Sequence, residues 1–232
     1  MKDKKLLSRF MRDTAHHNVI IEHDEGVYRH LIFKAPGTNS YRFDIITWPG
    51  YLTVTGDMGT WTFAREWDMI TDFFPAGTAG GINPGYWSEK IEAGTHGGRD
   101  AICYEFDEDS FIKALNAYLD GWRDNHDEED DSDDIEQAME VRDGLSQEGF
   151  NNADAAAYAL YNADWPRSID TFELAESVNY SLKTYSFHFL WICYAIVWGI
   201  EHYRTTKLVD KAMTTFLACH DLMKAVDSRE AA

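Results

Sequence analysis

The segment "DNHDEEDDSDDIEQ", Asp124–Gln137, carries nine carboxylates in fourteen residues and no Lys or Arg. Such side chains can ligate a hard cation, act as acid and base at a reacting centre, or present a line of charge to a basic partner. A calcium loop needs carboxylates at its first, third and fifth positions, Gly at the sixth and Glu at the twelfth. Asp127, Glu129 and Asp131 have the first spacing, but Ser132 stands where the glycine belongs, so no dedicated calcium site is expected. Glycosidase chemistry needs two carboxyls at a defined separation, one with a raised pKa, and acidic composition alone supplies neither.

The third use fits the pattern best. B-DNA carries one charge per ~1.7 Å of axis, and an α-helix rises ~1.5 Å per residue, so an acidic helix flanked by acidic loops approaches the charge density of a phosphate backbone. The charge also continues beyond the tract, at Asp107, Glu108, Asp109, Asp120, Glu140, Asp143, Glu148 and Asp154, over segments that read as helices. A solvated linker, the plain alternative for a block of like charge, needs no charged helices on both sides. The candidate partner-binding residues are Asp124, Asp127, Glu128, Glu129, Asp130, Asp131, Asp133, Asp134 and Glu136.

Other chemistries find less support. His16, His17, His23 and His30 lie near the first strands, but without nearby cysteines or an H-E-x-x-H pattern they read as surface or turn residues; His188 and His202 read as core or cap residues. The three cysteines, Cys103, Cys193 and Cys219, form no C-x-x-C pair, and free thiols suit a reducing compartment. The turn Gly56–Gly59 lacks the phosphate-loop pattern. No nucleophile elbow, deaminase motif or nucleotide fingerprint occurs. No cofactor and no catalytic residue is expected.

Length and charge set wider bounds. A chain of 232 residues, 44% apolar, can bury one large core or two small ones. The net charge is −19, and residues 105–176 hold 22 acidic and 4 basic side chains, so −18 of it lies in the central third. Direct binding to nucleic acid or to an anionic membrane is excluded as an expectation, since both need a basic footprint. "MKDKKLLSRFMRD" lacks the apolar core of a signal peptide. The longest apolar run, Phe187–Ile200, has 14 residues where a spanning helix needs about 20. A cytoplasmic setting follows as the expectation; the oligomeric state is left open.

The elements that must position these residues read as α+β: an N-terminal antiparallel β-meander with a helical C-terminal half. A short helix over 6–11 precedes period-two runs between residues 18 and 64, punctuated by Gly26, Pro36-Gly37, Pro49-Gly50 and Gly56. "EWDMITDFF" and "YWSEKIEA" read as helices, "PAGTAGGINPG" and "GTHGG" as loops, and "AICYEF" as one more strand. Helices follow at 107–122, 132–146, 153–162, 171–182, 185–204 and 207–226. The expected organisation is a sheet-containing region, 1–106, and a helical region, 107–232, with the acidic segment 124–136, either as two regions or as one integrated domain.

Five strings taken together, "RFMRDT" (Arg9–Thr14), "YRHLIF" (Tyr28–Phe33), "FDIITWPGYLTVTGDMGTWTFAR" (Phe43–Arg65), "INPGYWSEKI" (Ile82–Ile91) and "FHFLWICYAIVWGI" (Phe187–Ile200), resemble a widespread family of small phage and prophage proteins. The resemblance spans most of the chain, least in the acidic middle, and attaches no role to any residue. It implies a phage setting, in which accessory proteins often inhibit host defence, anti-restriction and anti-CRISPR proteins among them, and several such inhibitors are acidic DNA mimics. The expected function is a non-enzymatic inhibitor whose acidic face occupies a basic nucleic-acid-binding surface of a bacterial defence complex in the host cytoplasm. Two alternatives stand beside it. One is a structural or regulatory phage protein that binds through its sheet, with a merely solubilising acidic segment; the other is a Mg²⁺-dependent nuclease or hydrolase with clustered carboxylates.

Overall fold

The computed structural model describes residues 2–74, 81–95, 102–127, 130–179 and 183–230. The expected loops over 75–85 and 94–98 therefore lie partly outside the described residues, as do Glu128 and Glu129. The chain divides into two compact units. Met1–Cys103 and Phe187–Ala232 form the first, and the intervening Tyr104–Ser186 forms the second. This differs from the 1–106 and 107–232 division expected from the sequence, because the greasy helix near the C-terminus packs with the N-terminal sheet.

In unit 1, helix α1 (Lys2–Asp13) leads into β1 (Asn18–Glu25), β2 (Tyr28–Lys34), β3 (Phe43–Trp48), β4 (Tyr51–Gly56), β5 (Gly59–Ala64) and, after a π-helical turn (Met69–Phe73) and the short α2 (Pro84–Ser88), β6 (Ile91–Gly94). The six strands form one antiparallel sheet in sequence order, so the expected meander is present and one strand longer. Alternation sorts the faces. Leu31, Ile45, Val54 and Trp61 stand opposite one another across four strands and are all buried. On the other face the hydroxyls of Thr53 and Thr62, and of Thr55 and Thr60, bond across β4 and β5. Gly56 is required where it stands: a Cβ there would lie 2.1 Å from the Arg42 carbonyl oxygen.

Helix α7 (Phe187–Glu230) covers the apolar face. Phe189, Trp191, Ile192, Ala195, Ile196 and Ile200 are fully buried or nearly so, as expected for Phe187–Ile200. Trp198 meets the rings of Phe33 and Phe43 edge-on, and Gly199 brings the helix axis close to the sheet, since a Cβ would meet Ile45 and Phe33 at 2.9 and 3.1 Å. Phe10 of α1 packs edge-on against Trp191.

Three elements differ from the sequence reading. Helix α2 stops at Ser88, and Ile91–Gly94, expected as its continuation, is a strand that buries Ile91. The expected helices over 185–204 and 207–226 are one unbroken helix of 44 residues; Thr205 and Thr206 are weak helix formers, but no Gly or Pro stands at the expected break. A short strand, Lys183–Tyr185, follows the helix expected over 171–182 and takes in the first residue of the helix expected over 185–204; residues 180–182 lie outside the described residues. Among the described residues no helix is long and apolar enough to cross a membrane.

Unit 2 is helical. β7 (Tyr104–Phe106) pairs antiparallel with β8 (Lys183–Tyr185), which ties the unit's two ends together. Between them lie α3 (Glu108–Arg123), α4 (Ser132–Glu148), α5 (Ala153–Asn162) and α6 (Thr171–Asn179). Phe111, Leu115, Leu119, Ala138, Leu145, Phe150, Ala156, Leu160, Trp165, Ile169 and Leu174 make its own buried core.

Candidate interaction surface

The boundary between the units is also a boundary in charge. Tyr104–Ser186 contains 22 acidic and 5 basic residues, a net of −17; the other unit contains 18 and 16, a net of −2. Acidic residues enter unit 2 in two distinct settings.

Some stabilise it. Each helix begins with carboxylates, where the N-terminal dipole and the unpaired amides favour them. Asp107 caps α3 by accepting from the Ser110 amide, and Glu108 and Asp109 follow in its first turn. Glu108 also accepts from the Phe150 amide at 2.7 Å. Asp170 accepts from the amides of Phe172 and Glu173 at 2.8 and 3.1 Å, capping α6. Of the candidate residues, Asp131 accepts from the Asp127 amide at 2.9 Å, Asp127 from the Asp130 amide at 3.4 Å, and Asp134 from the Ser168 hydroxyl at 2.6 Å. Asp133 and Asp134 lie in the first turn of α4. Part of the acidic tract is thus a helix start with its local hydrogen bonds, which the solvated-linker alternative did not foresee.

Others have no such explanation. Asp120 and Asp124 lie at the C-terminal end of α3 and Glu148 is the last residue of α4, where the dipole disfavours negative charge. Asp120 and Asp124, and Glu136 and Glu140, are like-charge pairs four residues apart, each costing a few tenths of a kcal/mol. Asp120, Asp124, Glu136 and Glu140 are all exposed and, among the described residues, make no side-chain hydrogen bond or ion pair. On α4, Asp133, Glu136, Glu140 and Asp143 recur at i, i+3, i+7 and i+10, forming one exposed stripe about 15 Å long; Asp143 alone is paired, with Arg142 at 2.6 Å. The stripe lies opposite the buried Ala138 and Leu145. The local field reaches Tyr118, whose phenol is pushed above its usual range by burial and then by the charges of Glu173 and Asp170.

The candidate residues therefore split. Asp124 and Glu136 belong to the unpaired, solvent-facing set; Asp133 is exposed but favoured by its helix; Asp127, Asp130, Asp131 and Asp134 take part in the hydrogen bonding around the start of α4; Glu128 and Glu129 lie outside the described residues. Asp120 and Glu140, counted in the sequence only as extensions of the tract, join Asp124 and Glu136 as the strongest members. Helical spacing from Asp133 onward was the signal that could have found Glu140; Asp120 shows itself only through the boundary of α3. An open groove of about 710 Å³ lies beside α4 and α5, lined by Glu148, Asn151, Asn152, Tyr158, Asn162 and Asp164 among others. Among the described residues no three His, Cys, Asp or Glu side chains come together to hold a metal ion.

Unit 1 treats its carboxylates differently. Asp68 takes a two-pronged bond from Arg29 at 3.0 and 2.8 Å. Asp24 accepts from Tyr203 at 2.8 Å and Lys207 at 2.6 Å, fastening α7 to β1. Asp44 accepts from Arg42 and from His30. Burial acts to raise all three carboxyls, but the hydrogen bonds and positive charges of these partners outweigh it and hold each below the usual carboxylate range. His17, expected at a surface or turn, is buried and bonds the Tyr41 carbonyl at 3.0 Å. Compared with protein-family models, with curated proteins and with solved structures, the chain matches none.

Proposed function

We propose that this protein is a stoichiometric binding protein whose helical unit occupies a basic, nucleic-acid-binding surface, and that in a phage setting its target is a bacterial defence complex in the host cytoplasm. One observation carries the reading: a net charge of −17 is confined to one compact unit, including exposed carboxylates at helix C-termini and in like-charge pairs that cost the unit stability. A cationic partner offsets that cost, and the field steers its approach. No turnover is required. The phage setting rests on the sequence resemblance.

The test is a panel of purified CRISPR effector complexes and restriction endonucleases, each assayed for DNA binding with and without the protein. At least one member should lose DNA binding near one equivalent, and the loss should weaken as salt rises. If no member's DNA binding changes at low salt, the defence-inhibitor reading fails.

A further inference from the structure

Helix α7 changes character along its length. Up to Tyr203 it is the core of unit 1. At Tyr203 and Lys207 it is fastened to Asp24, and Arg204 donates to the Ile70 carbonyl at 3.0 Å. From Lys207 to Lys224 every residue is exposed, over about 27 Å of helix. This exposed stretch is not polar all round. Leu208, Val209, Met213, Phe216, Leu217, Leu222 and Met223 are exposed by 52–68%, a concentration of apolar surface well beyond scattered single residues.

The apolar positions are ordered. Val209, Met213, Phe216, His220 and Met223 follow one another at intervals of 4, 3, 4 and 3 residues, the seam of a two-stranded coiled coil. The hydroxyls of Thr214 and Thr215 bond back to the Asp210 and Lys211 carbonyls and seek no partner. Asp210 and Lys224 flank the seam on one side and have no side-chain partner among the described residues.

We propose that this helix pairs antiparallel with the same helix of a second copy, about a two-fold axis beside Ala218. In that register Met213 packs against the partner's Met223 and Phe216 against the partner's His220, on both sides of the axis. Leu217 meets the partner's Leu217 on one flank and Cys219 meets the partner's Cys219 on the other. Asp210 then faces the partner's Lys224, and Lys224 the partner's Asp210. Sliding by one heptad either way sets Asp210 or Lys224 opposite a leucine instead. A parallel pair leaves both charges unmatched and puts the two Cys219 side chains on opposite sides of the seam. Charge complementarity thus selects both the occupant, a second copy, and the register. Because each helix is already fastened at its root, pairing orders little new backbone.

The experiment uses the full chain. Sedimentation over a wide concentration range should show a reversible monomer–dimer equilibrium. Lys224→Asp or Asp210→Lys alone should weaken the dimer about tenfold, and the two together should restore it. A short bis-maleimide should link wild-type chains through Cys219, the exposed cysteine of the three, and should fail on Cys219→Ser. Far-UV circular dichroism should be unchanged in all variants, because every altered side chain is exposed. A monomer at all concentrations overturns the proposal, as does a dimer that ignores both charge reversals or is not linked through Cys219; either result leaves the helix face to another protein or to a different register.

Discussion

Unit 1 and unit 2 use the same side chain in opposite ways. In unit 1 the part-buried carboxylates of Asp24, Asp44 and Asp68 each have a cationic or hydrogen-bonding partner, and acid and base nearly balance. In unit 2 much of the acid stays in solvent, on helix faces and at helix ends, and Asp120, Asp124, Glu136 and Glu140 have no side-chain partner among the described residues. Paired carboxylates fix geometry: they fasten α7 to the sheet and hold the turn at Asp68. Unpaired ones contribute nothing to their own fold beyond the helix starts, and what they offer is a field. The difference teaches that net charge says little about stability until each carboxylate is assigned a partner or shown to lack one.

The largest effect should come from breaking the core of unit 1. Ile196 is fully buried in α7, and Ile196→Asp should cost about 4 kcal/mol or more, since a charge without a partner would be buried. The chain should lose its cooperative thermal transition or melt well below wild type. A wild-type melting temperature would mean that α7 does not cover the sheet.

Next comes the paired network. Arg29→Met leaves Asp68 and part of Asp24 without compensation and should destabilise unit 1 by about 3 kcal/mol. The pH dependence follows from the depressed carboxyls of Asp24, Asp44 and Asp68. Their contribution is present above the unfolded value near 3.9 and is lost as pH falls through the lower folded values. The thermal midpoint of unit 1 should therefore fall as pH drops below about 4, with a shallower slope in Arg29→Met. An equal slope in both proteins would remove Asp68 from the account.

Salt should separate the units by a smaller margin. Raising ionic strength screens the repulsion among exposed carboxylates, so unit 2 should gain up to about 1 kcal/mol between low and moderate salt while unit 1 changes little. Amide exchange read separately in the two units would show the contrast, and equal responses would erase it.

Local chemistry explains what the sequence made legible. Gly26, Pro49-Gly50 and Gly56 punctuate period-two runs, so five strands and their antiparallel order could be read directly. Strand β6 could not, because Ile91–Gly94 is short, follows closely on α2 and joins the sheet by pairing with β5. Strand β8 has three residues, too few for a period to show. The hydrogen bonds that fasten α7 join Asp24 to residues 179 and 183 positions away, which no spacing rule reaches. For the acidic tract, residue content was legible and allocation was not. Asp134 bonds Ser168, 34 positions on, and only the helix boundaries show that Asp120 and Asp124 stand at a C-terminus while Asp133 and Asp134 stand at an N-terminus.

The central claim is that the exposed carboxylates at Asp120, Asp124, Glu136 and Glu140 are held at a cost to unit 2. Native-state hydrogen exchange at the amides of Leu115, Leu119, Ala138 and Leu160, all in that unit's core, tests it without any partner. In the variant Asp120→Asn, Asp124→Asn, Glu136→Gln, Glu140→Gln, two like-charge pairs and two unfavourable dipole contacts are removed. Exchange at low salt should slow about fivefold, a gain near 1 kcal/mol. Faster exchange in the variant would contradict the account, because those charges would then be part of what holds the unit together.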